Sequence, residues 1–220
     1  MQYLQMAQKV RQLVGMQGTG PTSVDATGAD AVFLTVVRDA WTDIQNRRKD
    51  WKWMRDTITF QTVVGTSTYT PAVIFGPVNR FKSWYKESMY ITKDSKKYWT
   101  PFVEYDYYDY KHINDSVNTP PSEFSIRPKD YALCISKPDL IYPVQIDYKK
   151  SNQTLSLAAD TPEMPSDYHN LIVYEAIARY AISIAIGHVY QEYSQKAAEL
   201  WGDLLREQNP RTLFKVRGIA

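Results

Sequence analysis

Eight of the twelve prolines fall between residues 71 and 143, at 71, 77, 101, 120, 121, 128, 138 and 143. A proline inside a helix removes a hydrogen bond and clashes with the preceding turn, so this stretch excludes long helices and suits short strands joined by loops. The flanks follow another period. Tyr3, Ala7, Val10 and Val14 recur at helical spacing, which predicts a first helix ending near Gly15. Phe33, Val36, Val37, Ala40, Trp41 and Ile44 form the apolar stripe of a second helix, with Thr27 as its expected N-cap and Asp30 three residues on. From Thr57 the period becomes two: Ile58, Phe60 and Thr62 share one face, a turn follows near Gly65, and a further strand carries Tyr69. The expected strands are 57–64, 80–85, 88–92, 124–127, 131–136 and 144–150.

Helical spacing returns after Asp160-Thr161-Pro162-Glu163-Met164-Pro165, a rigid entry in which Ser166 or Asp167 is placed to cap a helix starting at Tyr168. Residues 171–186 are apolar on most sides, as in a helix packed between others, and Glu175 and Arg179 are spaced to pair one turn apart. Gly187-His188 predicts a break. A last helix carries Tyr193, Ala197, Leu200, Trp201, Leu204 and Leu205, and Asn209-Pro210 stops it. The two helical segments each present one apolar face and are short for isolated helices, so they are expected to pack together. The fold class is therefore α+β: a helical bundle from both ends of the chain, an inserted antiparallel β-rich domain and an extended C-terminal tail. The expected divisions are 1–55, 56–158, 159–208 and 209–220.

Composition restricts function more than it reveals it. A hydrophobic share of 44% with 23% charge indicates neither wholesale disorder nor a membrane protein, and a net charge of +2 is too small for the whole chain to act as an electrostatic nucleic-acid binder. The first fourteen residues lack the continuous apolar core of a secretory signal, so no export is expected. The apolar run 171–189 contains Glu175, Arg179 and His188, which argues against a membrane span. Cys134, the single cysteine, sits between Leu133 and Ile135 and reads as a buried, inert thiol in a strand. His112, His169 and His188 show no metal-ligand spacing, and no nucleophile, zincin, Walker or dinucleotide motif is present, so no cofactor and no metal are expected. Gly15-Met16-Gln17-Gly18-Thr19-Gly20-Pro21 follows a helix rather than a strand and has no Lys-Ser/Thr ending, so it reads as a linker rather than a phosphate cradle.

Seventeen Tyr, seven Phe and six Trp are the unusual count, and such side chains serve surfaces that are apolar at one end and wet at the other. Between Arg47 and Arg55, five cations and two tryptophans, Trp51 and Trp53, stand against one carboxylate. That mixture can stack bases and neutralise phosphates. It also suits aromatic plugs at a domain or subunit seam with cations solvated around them, which is the expectation for Trp41, Trp51 and Trp53. The tyrosine-carboxylate segment with Tyr105, Tyr107, Tyr108 and Tyr110 reads either as a polar edge or subunit contact, or as a sugar-binding groove with a glycosidase acid and base; the contact is expected. Glu163 invites the same catalytic reading and is explained by its place at a helix entry. In the tail, Leu213, Phe214, Val216 and Ile219 alternate with Arg211, Lys215 and Arg217, a pattern suited to an arm that docks along a partner.

Several segments taken in order resemble the head-to-tail connector, or adaptor, family of tailed bacteriophages. They are Asp39-Ala40-Trp41 with Ile44-Gln45, then Asp50-Trp51-Lys52-Trp53-Met54-Arg55, then Phe60, Thr62, Gly65, Tyr69 and Thr70. Further on come Pro120-Pro121 with Phe124, Ile126 and Pro128, Tyr148-Lys149-Lys150, and 160–165 leading to Tyr168-His169 and Ile172-Val173-Tyr174. The resemblance covers about residues 1 to 205. It implies a structural, non-enzymatic virion protein, assembled in the host cytoplasm, that forms a homo-oligomeric ring, dodecameric in the family, beneath the portal protein. The ring would join the portal to a downstream tail or nozzle protein around a channel that genomic DNA passes without sequence-specific binding, with no membrane involved and the C-terminal arm reaching the portal. A tail-associated peptidoglycan hydrolase and a carbohydrate- or nucleic-acid-binding module are the alternatives.

Overall fold

The computed structural model describes residues 1–76, 80–113 and 117–208. In chain order these form α1 (Tyr3–Leu13), α2 (Ala29–Asn46), β1 (Arg55–Gln61), β2 (Thr68–Tyr69), α3 (Pro71–Phe75), β3 (Phe81–Trp84), β4 (Tyr90–Lys93), β5 (Lys96–Trp99), α4 (Tyr105–His112), β6 (Phe124–Ile126), β7 (Leu133–Ile135), β8 (Pro143–Lys150), α5 (His169–Ser183) and α6 (Gly187–Gln208). Helices and antiparallel strands are thus combined in an α+β chain, with the short α3 and α4 among the strands. Two compact units result, one of residues 1–53 with 152–220, the other of the intervening 54–151.

In the helical unit, α5 packs against α2, α1 and α6, and α1 also packs on α2. The stripes read from the sequence are the core: Tyr3, Ala7, Val10, Phe33, Val37, Ala40, Trp41 and Ile44 are fully buried, as are Leu171, Ile172, Val173, Ala176 and Ile177 of α5. Two buried polar side chains, Tyr3 and Gln45, have partners, whereas Trp41 Nε1 is buried without one among the described residues. Tyr3 donates through its hydroxyl to Leu34 O at 2.9 Å and through its backbone to Asp160 O at 2.8 Å. Gln45 is buried and exchanges two bonds with the backbone of Gln153: Nε2 donates to the carbonyl at 3.0 Å and Oε1 accepts from the N–H at 2.6 Å.

Several expectations are corrected here. Helix α2 starts at Ala29, not behind a Thr27 cap; Gly28, at φ 64°, occupies the cap, and Asp30 pairs with Arg11 instead of serving a capping box. The helix expected from Tyr168 begins at His169, because Ser166–Tyr168 form a tighter 3-10 turn first. Glu175 and Arg179 do not pair with each other. Arg179 bonds Asp43 of α2, while Glu175 takes Arg47 at 2.9 Å. The break lies at 184–186 rather than at Gly187-His188, which open α6.

In the strand unit, β8 organises a five-stranded antiparallel sheet. It pairs with β1 along its full length, from Arg55↔Lys149 to Gln61↔Pro143, and along its other edge with β3 and then β4, beyond which lies β5. A second sheet has the order β2-β7-β6. Alternation dictates which face is dry: Val144, Ile146 and Tyr148 of β8 join Ile91, Trp84, Tyr69, Phe124, Leu133 and Ile135 in one core. The opposite face of the large sheet is polar, with Asp147 taking Arg55 at 2.5 Å and Thr57 at 2.7 Å, and Lys97 donating to Gln145 at 2.7 Å. Three elements were not foreseen: strand β5, whose four residues are all exposed, helix α3, five residues that open on Pro71, and helix α4, eight residues long and so short enough to fit between prolines.

Candidate subunit and partner surfaces

The tryptophans of the basic-aromatic junction face one another inside the helical unit. Trp51 is fully buried, stacks on Trp53 at 4.3 Å and lies 6.0 Å from Trp201, while Trp53 reaches Trp41 at 6.5 Å. The Trp51 indole N–H donates to the Ile44 and Gln45 carbonyls at 3.1 and 3.2 Å. Cations close the outside of this stack: Arg47 lies over Trp201 at 4.6 Å and Arg48 over Trp51 at 5.8 Å. Glu175 accepts from Trp201 Nε1 at 2.6 Å as well as from Arg47. Arg48 pairs with Asp50 at 2.7 Å, and Lys52 donates to Glu207 O at 2.6 Å. The rings and most of these cations are therefore engaged within the chain, which removes the base-stacking geometry the cluster suggested. Trp201 and Glu175 belong to it although 150 and 124 residues separate them from Trp51, distances at which sequence reading has no signal. Beside them a groove of about 370 Å³ runs over α5 and α6, lined by Arg47, Glu175, Arg179, Ile182, Tyr190 and Trp201, with Ile182 63% exposed.

Helix α4 divides the tyrosine segment by face. Tyr108 is buried and stacks on His112 at 4.4 Å, whereas Tyr107 and Tyr110 stand 57% and 80% exposed; Tyr105 is half-buried. The structure thus brings Tyr107 and Tyr110 to the surface and takes Tyr108 into the unit. Behind the helix, Glu123 lies 2.7 Å from Lys111 Nζ and 2.9 Å from His112 Nε2. Burial pushes the Glu123 carboxyl up, but the hydrogen bonds from Lys111 and His112 outweigh it and hold the group below its ordinary value. A glycosidase acid needs the reverse shift. Asp106 and Asp109 are exposed on α4, and Glu163 is exposed in the other unit, its backbone N–H donating to Gln153 Oε1 at 3.0 Å. Cys134 is buried in β7, and burial raises its thiol, in keeping with an inert role.

Among the described residues, no group of three His, Cys, Asp or Glu is arranged to hold a metal, and no helix is long and apolar enough to cross a membrane. The tail residues Arg211, Leu213, Phe214, Lys215, Val216, Arg217 and Ile219 lie outside the described residues. Residues 1–215 match the family described as SU10 adaptor protein. The chain belongs to that family. No curated protein matches it. The SU10 adaptors are phage head-to-tail adaptors, so the resemblance read from residues 1–205 is borne out, and the chain is a structural protein of a bacteriophage head-tail junction. For an SU10 adaptor the useful surfaces are contact surfaces, and the exposed tyrosines of α4, the α5/α6 groove and the open β5 edge are the candidates.

Proposed function

We propose that this SU10 adaptor forms a closed ring, of twelve copies, that joins the portal to the next tail protein around the channel through which DNA leaves the head. The family match over 1–215 carries the reading. A ring interface core favours Tyr, Trp, Phe and Met, and this chain has seventeen, six, seven and six of them. Tyr107 and Tyr110 are assigned to a contact between neighbouring copies, and residues 209–220, with Leu213, Phe214, Val216 and Ile219 between cations, to an arm that docks on the portal. In this reading DNA passes without sequence-specific contact.

The test is the mass of the complex formed when the purified chain meets the portal ring of its own phage, with and without residues 209–220. A discrete gain of many copies that is lost on truncation is expected. No association with either form overturns the portal-facing position.

A further inference from the structure

The β4–β5 hairpin ends the five-stranded sheet, and among the described residues no strand pairs with the outer side of β5. Its turn, Asp94-Ser95, has both residues at positive φ, 50° and 62°, the mirror-image two-residue turn that matches strand twist. That turn sets the bonding register. Lys93 and Lys96 close the hairpin, and Thr100 N donates to Met89 O at 2.9 Å at the far end. In between, the main-chain groups of Lys96 and Tyr98 face β4, and those of Lys97 and Trp99 face the open edge. An edge of this kind is a template for another strand.

The surroundings say what kind of strand. Tyr98 and Trp99 are 50% and 55% exposed, and beside them a groove of about 390 Å³ combines the apolar Ile91, Tyr98, Pro120 and Pro121 with the charged Lys93 and Asp94. The hairpin carries Lys93, Lys96 and Lys97 against Asp94, so its rim is cationic. Successive side chains of an added strand point to opposite faces. On the core face they would enter this groove, and on the polar face they would meet Lys97, whose ammonium, among the described residues, bonds only a neutral amide, Gln145 Oε1.

We propose that β5 receives an extended acidic segment of another virion protein as a sixth strand, with apolar residues seated in the groove and carboxylates against Lys97 on the polar face. DNA is also drawn to three lysines, but it needs neither free strand-edge groups nor such a groove. The proposal rests on the chain being a virion component, which is read out separately below.

The experiment uses virions assembled with benzoylphenylalanine in place of Tyr98. After irradiation, the joined peptides are sequenced by mass spectrometry, and the amount of the chain per virion is measured independently. The expected product is one peptide of a different virion protein, with Asp or Glu alternating among apolar residues. Lys97→Pro withdraws only an outward N–H, a change edge strands tolerate, and should cut the yield about tenfold, whereas Lys97→Ala should cut it only a few-fold. Exchange of the Lys97 and Trp99 amides, slowed about tenfold or more in the virion relative to the free chain, reads the added strand without any substitution of the edge. A chain present in virions but joined to nothing, to DNA, or to a peptide without carboxylates overturns the proposal, as does unslowed exchange. A chain absent from virions overturns the adaptor reading instead, and this proposal with it.

Discussion

At the scale of single residues, the helical unit depends on polar side chains that have partners where water is excluded. The buried Gln45 satisfies both backbone groups of the half-buried Gln153, so Gln45→Ala takes the partner from that N–H and C=O and should cost about 1 kcal/mol, read as a lower urea midpoint. Gln153→Ala keeps that backbone pair, loses only exposed side-chain bonds to Thr161 and Glu163, and should change the midpoint little. Glu175 holds Trp201 and Arg47 at once, with a side chain 15% exposed. Glu175→Leu is therefore expected to cost about 1–3 kcal/mol and to shift the tryptophan fluorescence of the Trp51 stack. Arg47→Ala should cost less than about 1 kcal/mol, because its side chain is nearly half exposed. Sequence reading singled out the tryptophans as aromatics of a domain or subunit seam and paired Glu175 with Arg179, since i,i+4 spacing is visible in a sequence and the partners from the α2 end and α6 are not.

At the scale of elements, the end of α5 shows both the reach and the limit of the sequence. The carbonyls of Ala181 and Ile182 accept from the N–H groups of Ile186 at 2.9 Å and Ala185 at 3.2 Å, with Ala185 at φ 56°: a Schellman stop built on alanine. Glycine is the residue such a position favours, so the break was expected at Gly187, two residues late. Ala185→Gly should raise the melting temperature of the helical unit, by a stabilisation of about 0.5–1 kcal/mol. The helical stripes and seven of the eight strands were legible because burial imposes a period of 3.6 or 2. Strand β5 was not, since Lys96-Lys97-Tyr98-Trp99 has no buried face to impose one. Acid should act on the two units separately. Burial lowers the His169 imidazole from 6.5, so the stability that its neutral ring permits is complete above that value and is lost as the pH falls below it. Glu123, lowered from 4.5 against the opposing effect of burial, stabilises the strand unit above that pH and ceases to do so as the pH drops further. A pH titration followed by amide exchange should show the helical unit loosening first, and His169→Gln should remove that first limb alone.

At the scale of the whole molecule, the strand unit is one continuous stretch of chain and the helical unit is not. Residues 54–151 expressed by themselves should therefore fold, with the near-UV signal of packed aromatics, because the Val144, Ile146, Phe124 and Leu133 core lies wholly within them. Residues 1–53 should not, since α2 packs on α5 and is left with a bare apolar stripe in its absence. On the ribosome this becomes a matter of time. Phe33, Val37 and Trp41 emerge more than a hundred residues before Leu171 and Ala176, and at about 5–20 residues per second the first helices wait on the order of ten seconds for the partner that covers them. The strand unit closes during that interval, between a helical half already made and one not yet translated. A nascent chain of this design spends its most aggregation-prone moments with its N-terminal stripe exposed, where a chaperone that holds short apolar helices would find it.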